Sequence, residues 1–291
     1  MKQSHRNPGA PRALTVFGML ACLACGAPGQ GGTGSSDTLI DTAQQVELIF
    51  LDVGQGDATL IRTPEGRTAL IDAGRSDPTP QLRAAGIERI DLVVASHPHA
   101  DHIGGIEAVL AAFPVGAYMD NGQTHTTATY LSLMRTLRAR PDISYLEAVP
   151  RTITLGSVTL EVLPLPPPDE VDHNDRSIGL VLRFGRFTAF LSGDSERRQL
   201  AHFLEHGAVP ASTVLKAPHH GSRNGFTMAF LQAARPQVVV IPLGTNSYGH
   251  PHQEALEAYG AVARNVYRTD LHGAVSVLGY EDGRYVVSTE R

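Results

Sequence analysis

The sequence predicts an α/β domain in which two β-sheets lie between helices. Two observations carry this prediction. Short apolar runs rich in β-branched residues alternate with stretches of helical periodicity, and two-residue turns that begin with glycine join two pairs of runs into hairpins. With 42% hydrophobic and 18% charged residues among 291, the chain can bury a sizeable core. We find no short-period repeat.

Strands come first in the predicted domain. Two β-branched runs open it, a third follows a Pro-Glu-Gly turn, and a fourth is a short apolar run typical of a buried strand. These strands are predicted at residues 46–54, 57–63, 67–74 and 91–96. Apolar side chains from Ile106 to Phe113 recur at helical spacing, which predicts a helix directly after the glycine pair 104–105. A second helix is predicted over 127–140, where Pro141 ends it.

The remaining sequence predicts hairpins followed by alternating elements. Residues 152–162 carry a Gly-Ser turn and residues 178–193 a Gly-Arg turn, and each turn fits a two-residue hairpin. The proline-rich stretch 164–175 between them cannot form regular structure. The later elements are a helix at 196–207, a strand at 212–217, a helix, a strand at 237–242, a helix at 253–263 and two terminal strands.

The first residues are typical of a targeting segment. Residues 1–25 combine a basic start with an apolar run that suits a signal peptide and is too short to span a bilayer, although a buried helix or strand is the alternative. Residues 26–44 predict a flexible linker, so the folded domain is expected at 45–291. Cys22 and Cys25 each resemble a lipoprotein box, and ordinary secretion is the other option. Either route predicts export to the periplasm, the cell envelope or the medium.

Residues 96–105, SHPHADHIGG, crowd three histidines and an aspartate together. Because side chains alternate along an extended segment, His97, His99 and Asp101 are expected to point the same way. His102 is expected where the chain turns into the helix. These donors suit Zn²⁺, Mn²⁺ or Fe²⁺, and four of them are too crowded for one ion. They predict two adjacent ions, while a polar loop of surface histidines is the alternative.

Further ligand candidates follow other predicted strands. Asp194 ends an apolar strand, where a carboxylate is costly to bury unless it is paired or metal-bound, although it can also cap the next helix. Two more loops carry the pairs His219–His220 and His250–His252. Core packing does not explain so many histidines in strand-end loops. The histidines taken as surface residues are His5, His125, His202, His206 and His272.

Together these blocks resemble the metallo-β-lactamase fold superfamily, and within it the hydrolase domain of the DNA-uptake protein ComEC and its free-standing relatives. The matching stretches are FLDVGQGDATLI (50–61), LIDAG (70–74), SHPHADHIGG (96–105), NDRSIGLVLRFG (174–185), FLSGD (190–194), LKAPHHGSRNG (215–225) and NSYGHPH (246–252). The resemblance implies a four-layer αβ/βα sandwich with its site at one edge. The chain shows no counterpart of the ComEC channel, so it is not expected to transport DNA itself.

The resemblance also implies a ligand set. His97 and His99 would hold one ion, and Asp194 would bridge it to a second. The second ion would be held by Asp101, His102 and His219, with His220 on the substrate side and the reverse assignment left open. Most superfamily members have a further histidine at the position of Asn174. This difference predicts a looser first site that prefers an oxygen-loving ion such as Mn²⁺, unless His173 takes that place.

Other residues are given supporting roles. Asp72 is expected to orient a liganding imidazole or to cap a turn. The residues expected to orient the attacking water or to protonate the leaving group are Asp101, Asp194, His220, His250 and Lys216. The residues expected to shape the loops or bind the substrate are Asp52, Asp57, Asn174, Lys216, Ser222, Asn224 and Asn246.

The pattern predicts a metal-dependent hydrolase in which two divalent ions, Zn²⁺ or Mn²⁺, activate water. Phosphoester bonds, in a small molecule or in DNA, suit such a pair. Alternatives are a hydrolase of another small ester, such as a phosphocholine or lactone, and a non-catalytic binding protein. The net charge of −5 and the absence of a basic run exclude a DNA-coating protein and favour a small substrate. No membrane span is expected in the mature domain, and the oligomeric state is not predicted.

Overall fold

In a computed structural model of the chain, the residues described are 44–168 and 171–291. They form two mixed β-sheets. The strands are β1 (Gln45–Phe50), β2 (Thr59–Arg62), β3 (Thr68–Ile71), β4 (Ile90–Val94), β5 (Val115–Asp120), β6 (Ser144–Glu147), β7 (Arg151–Leu155), β8 (Val158–Val162), β9 (Leu180–Phe184), β10 (Phe187–Leu191), β11 (Val214–Lys216), β12 (Val238–Ile241), β13 (Asn265–Arg268), β14 (Val275–Tyr280) and β15 (Tyr285–Thr289).

The helices pack against these sheets. They are α1 (Thr79–Ala84), α2 (Ala100–Ile103), α3 (Ile106–Ala112), α4 (Ala128–Arg138), α5 (Arg197–Glu205), α6 (Met228–Ala234), α7 (Gln253–Val262) and α8 (Thr269–His272). Two short 3₁₀ helices, Asn174–Arg176 and Pro218–Gly221, lie in loops that reach the site described below.

Each sheet joins an antiparallel part to a parallel part. The strand order is β15-β14-β1-β2-β3-β4-β5-β6 in the first sheet and β13-β12-β11-β10-β9-β8-β7 in the second. Strands β3 to β6 are mutually parallel, as are β10 to β13. The loops after β3, β4, β10, β11 and β12 therefore leave the carboxyl ends of parallel strands, where α/β folds collect ligands.

Three apolar clusters define the layers. One contains side chains of both sheets, such as Leu48 and Leu182, and fills the space between them. A second joins the other face of the first sheet to the early helices, through residues such as Leu70 and Val109. A third joins the second sheet to α5, α6 and α7. The order helix, sheet, sheet, helix is the predicted four-layer sandwich, and the fold class is confirmed.

The structure differs from the sequence prediction at particular elements. The first strand ends at Phe50, so residues 51–58 form a loop rather than the end of a strand. Residues 96–98 form bends and helix α2 begins at Ala100, so the extended segment expected from His97 to Asp101 is not formed. Strands β5, β6 and β13 were not predicted, because their runs are short and partly polar.

The predicted signal peptide, nearly all of the linker, and Cys22 and Cys25 lie outside the described residues. Within the described part of the chain, no helix is both long enough and apolar enough to cross a membrane.

Candidate metal centre

His97 and His102 are held by a buried frame of polar side chains. Asp72 accepts hydrogen bonds from the Ser96 N–H at 2.7 Å, from the Ser96 hydroxyl at 2.7 Å and from His102 Nδ1 at 2.8 Å. The hydroxyls of Ser96 and Ser177 lie 3.1 and 3.4 Å from His97 Nδ1. Because Nδ1 of each imidazole is engaged by this frame, Nε2 of each is left for the centre of the site. Asp72 therefore orients an imidazole in the structure.

His219 and His220 lie next to each other in the 3₁₀ helix after β11 but have different surroundings. Both have left-handed backbone angles, φ 49° and 53°, a strained conformation for residues other than glycine. His220 is buried, and its Nδ1 donates to the Pro242 carbonyl at 2.9 Å while its Nε2 lies 3.7 Å from Asp101 Oδ2. His219 lines the pocket, and its Nδ1 donates to Glu196 Oε1 at 2.8 Å. The geometry thus groups His220, rather than His219, with Asp101.

Asp194 lies where these side chains converge. Its Oδ2 is surrounded by the Nε2 atoms of His102 (3.3 Å), His220 (3.5 Å), His219 (3.6 Å) and His97 (3.9 Å). The Asp194 N–H donates to Ser177 Oγ at 3.0 Å, which fixes the loop after β10. Gly193 lies so close to Ser96 that a Cβ would clash, so this loop can pack on the loop after β4 only with glycine there. Loops from both sheets therefore meet at one carboxylate.

The loop between β1 and β2 packs beside the same carboxylate group. Gly56 lies too close to the Asp101 carbonyl to carry a Cβ, and the N–H of Asp57 donates to that carbonyl at 3.1 Å. Asp57 is buried, pairs with Lys216 and has Oδ1 3.2 Å from His220 Nδ1. This loop therefore shapes the site, as the sequence predicts for Asp57.

Buried polar atoms without a hydrogen-bond partner mark the centre of the cluster. In the described part of the chain they include His102 Nε2, His220 Nε2, Asp194 Oδ1 and Asp57 Oδ1. The groups whose ligand atoms lie within 4.8 Å of one another are His97–His102–Asp194, Asp101–His102–His220, Asp57–Asp194–His220 and Asp57–Asp72–His102. Unpaired imidazole nitrogens beside carboxylates are a donor set for Zn²⁺, Mn²⁺ or Fe²⁺. The residues present therefore fit divalent metal ions.

The side of the site around His99 is built more loosely. His99 is half-buried, and its Nδ1 lies 3.0 Å from His97 Nε2. Asn174 lines the same pocket and has a buried Oδ1 without a partner. His173 instead has Nδ1 3.3 Å from Gln123 Oε1 and its ring 5.7 Å from that of His99. Of the two neighbours, Asn174 lines the pocket and His173 does not.

Opposite charges dominate the electrostatics of the cluster. Burial alone would lower the pKa of His102, but the carboxylates of Asp194 and Asp72 outweigh it and hold that pKa well above its ordinary value. Burial would raise the pKa of Asp194, but His102, His220 and His219 hold it well below its ordinary value. The proton that this raised pKa holds on His102 occupies a position that a bound metal ion would take, so binding should release it.

The pKa of His250 is shifted in the opposite direction to that of His102. Burial and then the nearby imidazoles of His219, His220 and His252 lower its pKa to about 4. His250 is therefore neutral near pH 7. A neutral imidazole is a poor proton donor, so the geometry and charge give less support to the proton-donor role predicted for this residue.

The site opens into a pocket of about 650 Å³. The lining residues that sequence reasoning missed are Gln55, Arg75, Glu196, Arg223 and Tyr248. A signal existed for Glu196, because it stands two residues after Asp194 in the same loop. No spacing signals the arginines, which enter the pocket from unrelated loops after β3 and after the 3₁₀ helix Pro218–Gly221.

Some predicted residues lie elsewhere or have other contacts. Asp52 faces away from this pocket and pairs with Arg291 at 2.6 Å. Asn246 uses its amide inside its own loop, donating to the carbonyls of Gly244 and His250 at 2.9 Å. Ser222 lines the pocket, and its Oγ accepts a hydrogen bond from the Asn224 N–H at 3.2 Å.

His125, His202 and His272 were taken as surface residues, but all three are half-buried. The ring of His125 lies 5.8 Å from that of His99 and 4.9 Å from that of His173. The turn before α4 places it there, and no local pattern signals that contact.

Comparison with known proteins identifies the relatives of this chain. The family described as the Metallo-beta-lactamase superfamily matches residues 51–245. ComE operon protein 3 of Bacillus subtilis (strain 168) is 27% identical over 253 residues, covering 79% of this chain and 32% of that protein. Competence protein ComA of Neisseria gonorrhoeae is 28% identical over 230 residues, covering 77% of this chain and 31% of that protein. The chain thus spans about a third of the length of these relatives.

Solved structures show the same fold at low sequence identity. The metallo-beta-lactamase fold protein YhfI from Bacillus subtilis aligns with a TM-score of 0.52 and 13% identity, covering 78% of this chain and 98% of that chain. The likeness supports the sandwich architecture.

Proposed function

The chain belongs to the metallo-beta-lactamase superfamily, and from this premise we propose that it is a metal-dependent hydrolase that cleaves phosphoester bonds with water. The observation that carries the proposal is the set of imidazole Nε2 atoms around the Asp194 carboxylate. Three of these imidazoles, those of His97, His102 and His220, have Nδ1 engaged by protein groups. A ligand set oriented in this way is costly to keep buried unless it binds a cation.

The proposal assigns two neighbouring ligand sets. His97, His99 and Asn174 would hold one ion, and Asp101, His102 and His220 the other, with Asp194 between them. We place His220 in the set and His219 on the substrate side, because His220 is the buried member grouped with Asp101. When bound, divalent ions would supply a water of lowered pKa and a Lewis acid for the substrate oxygen.

The His219–Glu196 pair is suited to proton transfer. Glu196 accepts the Nδ1–H of His219 at 2.8 Å, which orients the imidazole and leaves its Nε2 facing away from Glu196. Both residues line the pocket, so His219 Nε2 can hold a proton for the leaving oxygen. Asp101 and Asp194 present carboxylate oxygens at the centre and can orient the attacking water. These roles extend the predicted set of water-orienting and proton-donating groups.

Two arginines support an anionic substrate. Arg75 and Arg223 line the pocket from opposite sheets, and neither guanidinium makes a hydrogen bond or ion pair within the described residues. Guanidinium groups bind phosphate oxygens through paired N–H donors. A pocket of about 650 Å³ accepts a small phosphodiester or one end of a longer chain. DNA belongs among the candidates because one relative is described as a competence protein.

Metal analysis combined with a substrate panel tests the proposal. Protein loaded with Zn²⁺ or Mn²⁺ is offered a chromogenic phosphodiester, a phosphocholine ester, a lactone and DNA, with the Arg135→Ala variant as a control at an exposed site. We expect phosphodiester cleavage that His99→Ala and Asp101→Ala remove. Cleavage of the lactone alone would transfer the proposal to another ester. Unchanged phosphodiester cleavage in both variants would reject the metal centre.

Export of the chain to the cell envelope or beyond is part of the same proposal. Mass spectrometry of the secreted or membrane-bound protein would locate the new N-terminus and show whether Cys22 or Cys25 carries a lipid.

A further inference from the structure

Lys216 is a buried lysine at the end of β11, and it contacts the candidate metal centre. Its side chain is 3% exposed. The ammonium pairs with Asp57 Oδ2 and donates to the Gly193 carbonyl at 2.6 Å. It also lies 3.8 Å from Asp194 Oδ1, a buried oxygen that has no hydrogen-bond partner. A buried ammonium normally needs such partners, because desolvation of an unpaired charge is very costly.

These contacts fall on the carboxylates of the site rather than on the general core. Asp57, Asp194 and His220 form one of the groups that could hold a metal ion. Lys216 already supplies a positive charge to two members of that group. With the ammonium on Asp57, this carboxylate is less available to a metal ion, which directs ions toward the groups that contain Asp101 and His97.

The position of Lys216 is fixed by the strands on both sides of β11. Strand β11 lies between β10 and β12, with Lys216 opposite Val240 in the register. The Gly193 carbonyl that it binds directly precedes Asp194 in the loop after β10.

We propose that Lys216 is a positioning residue, an internal cation that holds the Asp194 loop in its ligand geometry before any metal ion binds. The proposal rests on the proposed metal centre. Lys216 pairs closely with Asp57, which the two proposed ligand sets do not use, and it holds the Asp194 loop through the Gly193 carbonyl. Its loss should therefore affect metal affinity even when the fold is intact.

A Co²⁺ titration of metal-free protein tests this role, because the visible spectrum of Co²⁺ reports its coordination. The Lys216→Met variant leaves Asp57 as an unpaired buried charge and should be much less stable. The double variant Asp57→Asn with Lys216→Met removes both charges and should regain the metal-free melting temperature. We expect it nonetheless to bind Co²⁺ about tenfold more weakly, with an altered spectrum, as for lost supporting contacts of metal ligands.

The matched control is the Glu161→Gln, Arg183→Met double variant, which removes a 2.6 Å ion pair on β8 and β9 that does not contact the site. A wild-type Kd and spectrum in the Lys216 double variant would overturn the proposal and leave the pair with a purely structural role. A double variant that stays unfolded would also contradict it, because neutralising both partners should relieve the unpaired charge. Failure of the wild-type protein to bind Co²⁺ would instead reject the metal centre itself.

Discussion

The two sides of the candidate metal centre are built differently. On the Asp101 side, His102 and His220 are buried and each has Nδ1 held, by Asp72 at 2.8 Å and by the Pro242 carbonyl at 2.9 Å. On the His99 side, the imidazole is half-buried and its Nδ1 contacts only another imidazole. The third group on that side is the neutral amide of Asn174.

This difference teaches how loops that meet at one carboxylate can provide two unequal binding positions. Supporting hydrogen bonds fix the ligands and raise their basicity, so the Asp101 side should bind its ion first and most tightly. The His99 side, with a weak oxygen ligand, should bind its ion later and exchange it more easily.

The largest expected effect comes from removing ligands of the Asp101 side. His220→Ala should lower phosphodiester hydrolysis about 10³-fold and abolish tight metal binding. His99→Ala should remove hydrolysis but leave about one ion per chain. Metal content by mass spectrometry, measured with the rate of bis-p-nitrophenyl phosphate hydrolysis, checks both expectations. Equal loss of metal in the two variants would remove the distinction between the sides.

A smaller effect is expected from strengthening the His99 side. Asn174→His introduces an imidazole where the wild-type protein has an amide, so the weaker ion should bind about tenfold more tightly, with a shift toward Zn²⁺. His173→Ala should leave that affinity unchanged, because its Nδ1 faces Gln123 and it does not line the pocket. Competition between Zn²⁺ and Mn²⁺ measures the change. The opposite pattern in these two variants would make His173 the ligand.

The arginines should affect substrate binding without affecting either metal position. Arg75→Ala or Arg223→Ala should raise KM for an anionic phosphodiester about fivefold and leave metal content unchanged. KM for a neutral ester should stay constant, because it lacks the charge that the guanidinium binds. Steady-state kinetics with both substrates checks this, and Arg135→Ala serves as the exposed control. An equal rise of KM for both substrates would point to pocket shape instead.

The melting temperature of the metal-free protein is expected to change by a few degrees with pH, which is a modest effect. The pKa of His102 is raised in the folded state by Asp194 and Asp72, which outweigh burial. Its contribution to stability is therefore fully present below the unfolded pKa of about 6.5 and is lost as pH rises through the folded pKa. The melting temperature in chelator should therefore fall as pH rises above about 6.5.

Bound metal should reduce that loss, because the ion replaces the imidazole proton. The matched measurement is the same pH series with Zn²⁺ present. A metal-free melting temperature that rises toward alkaline pH would contradict the assigned charges.

Much of the fold could be predicted from sequence because its strands are short runs of strong periodicity. The runs around β9 to β12 are apolar and bounded by glycine or proline, and they form strands as predicted. The partly polar strand β6 was missed, because a short run with exposed positions carries little signal. Helix α2 was missed because its four residues, Ala100 to Ile103, are too short a run to show helical periodicity.

The residues of the candidate site also divide into those that local motifs predict and those that they do not. Dense local motifs pointed to His97, His102, Asp194 and the pair His219–His220. The different surroundings of that pair depend on Glu196 and on the Pro242 carbonyl, which belong to other loops. Contacts between loops leave no spacing in the sequence, so the Pro242 carbonyl and the arginines could not be predicted, whereas Asp72 was expected to orient an imidazole and does so.

Anomalous diffraction from crystals grown with Mn²⁺ tests the central claim most directly. The account predicts two neighbouring peaks on either side of Asp194, the stronger contacting Asp101, His102 and His220 and the weaker contacting His97 and His99. A pocket without a peak, or a single peak beside Asp57 in place of Lys216, would contradict the account.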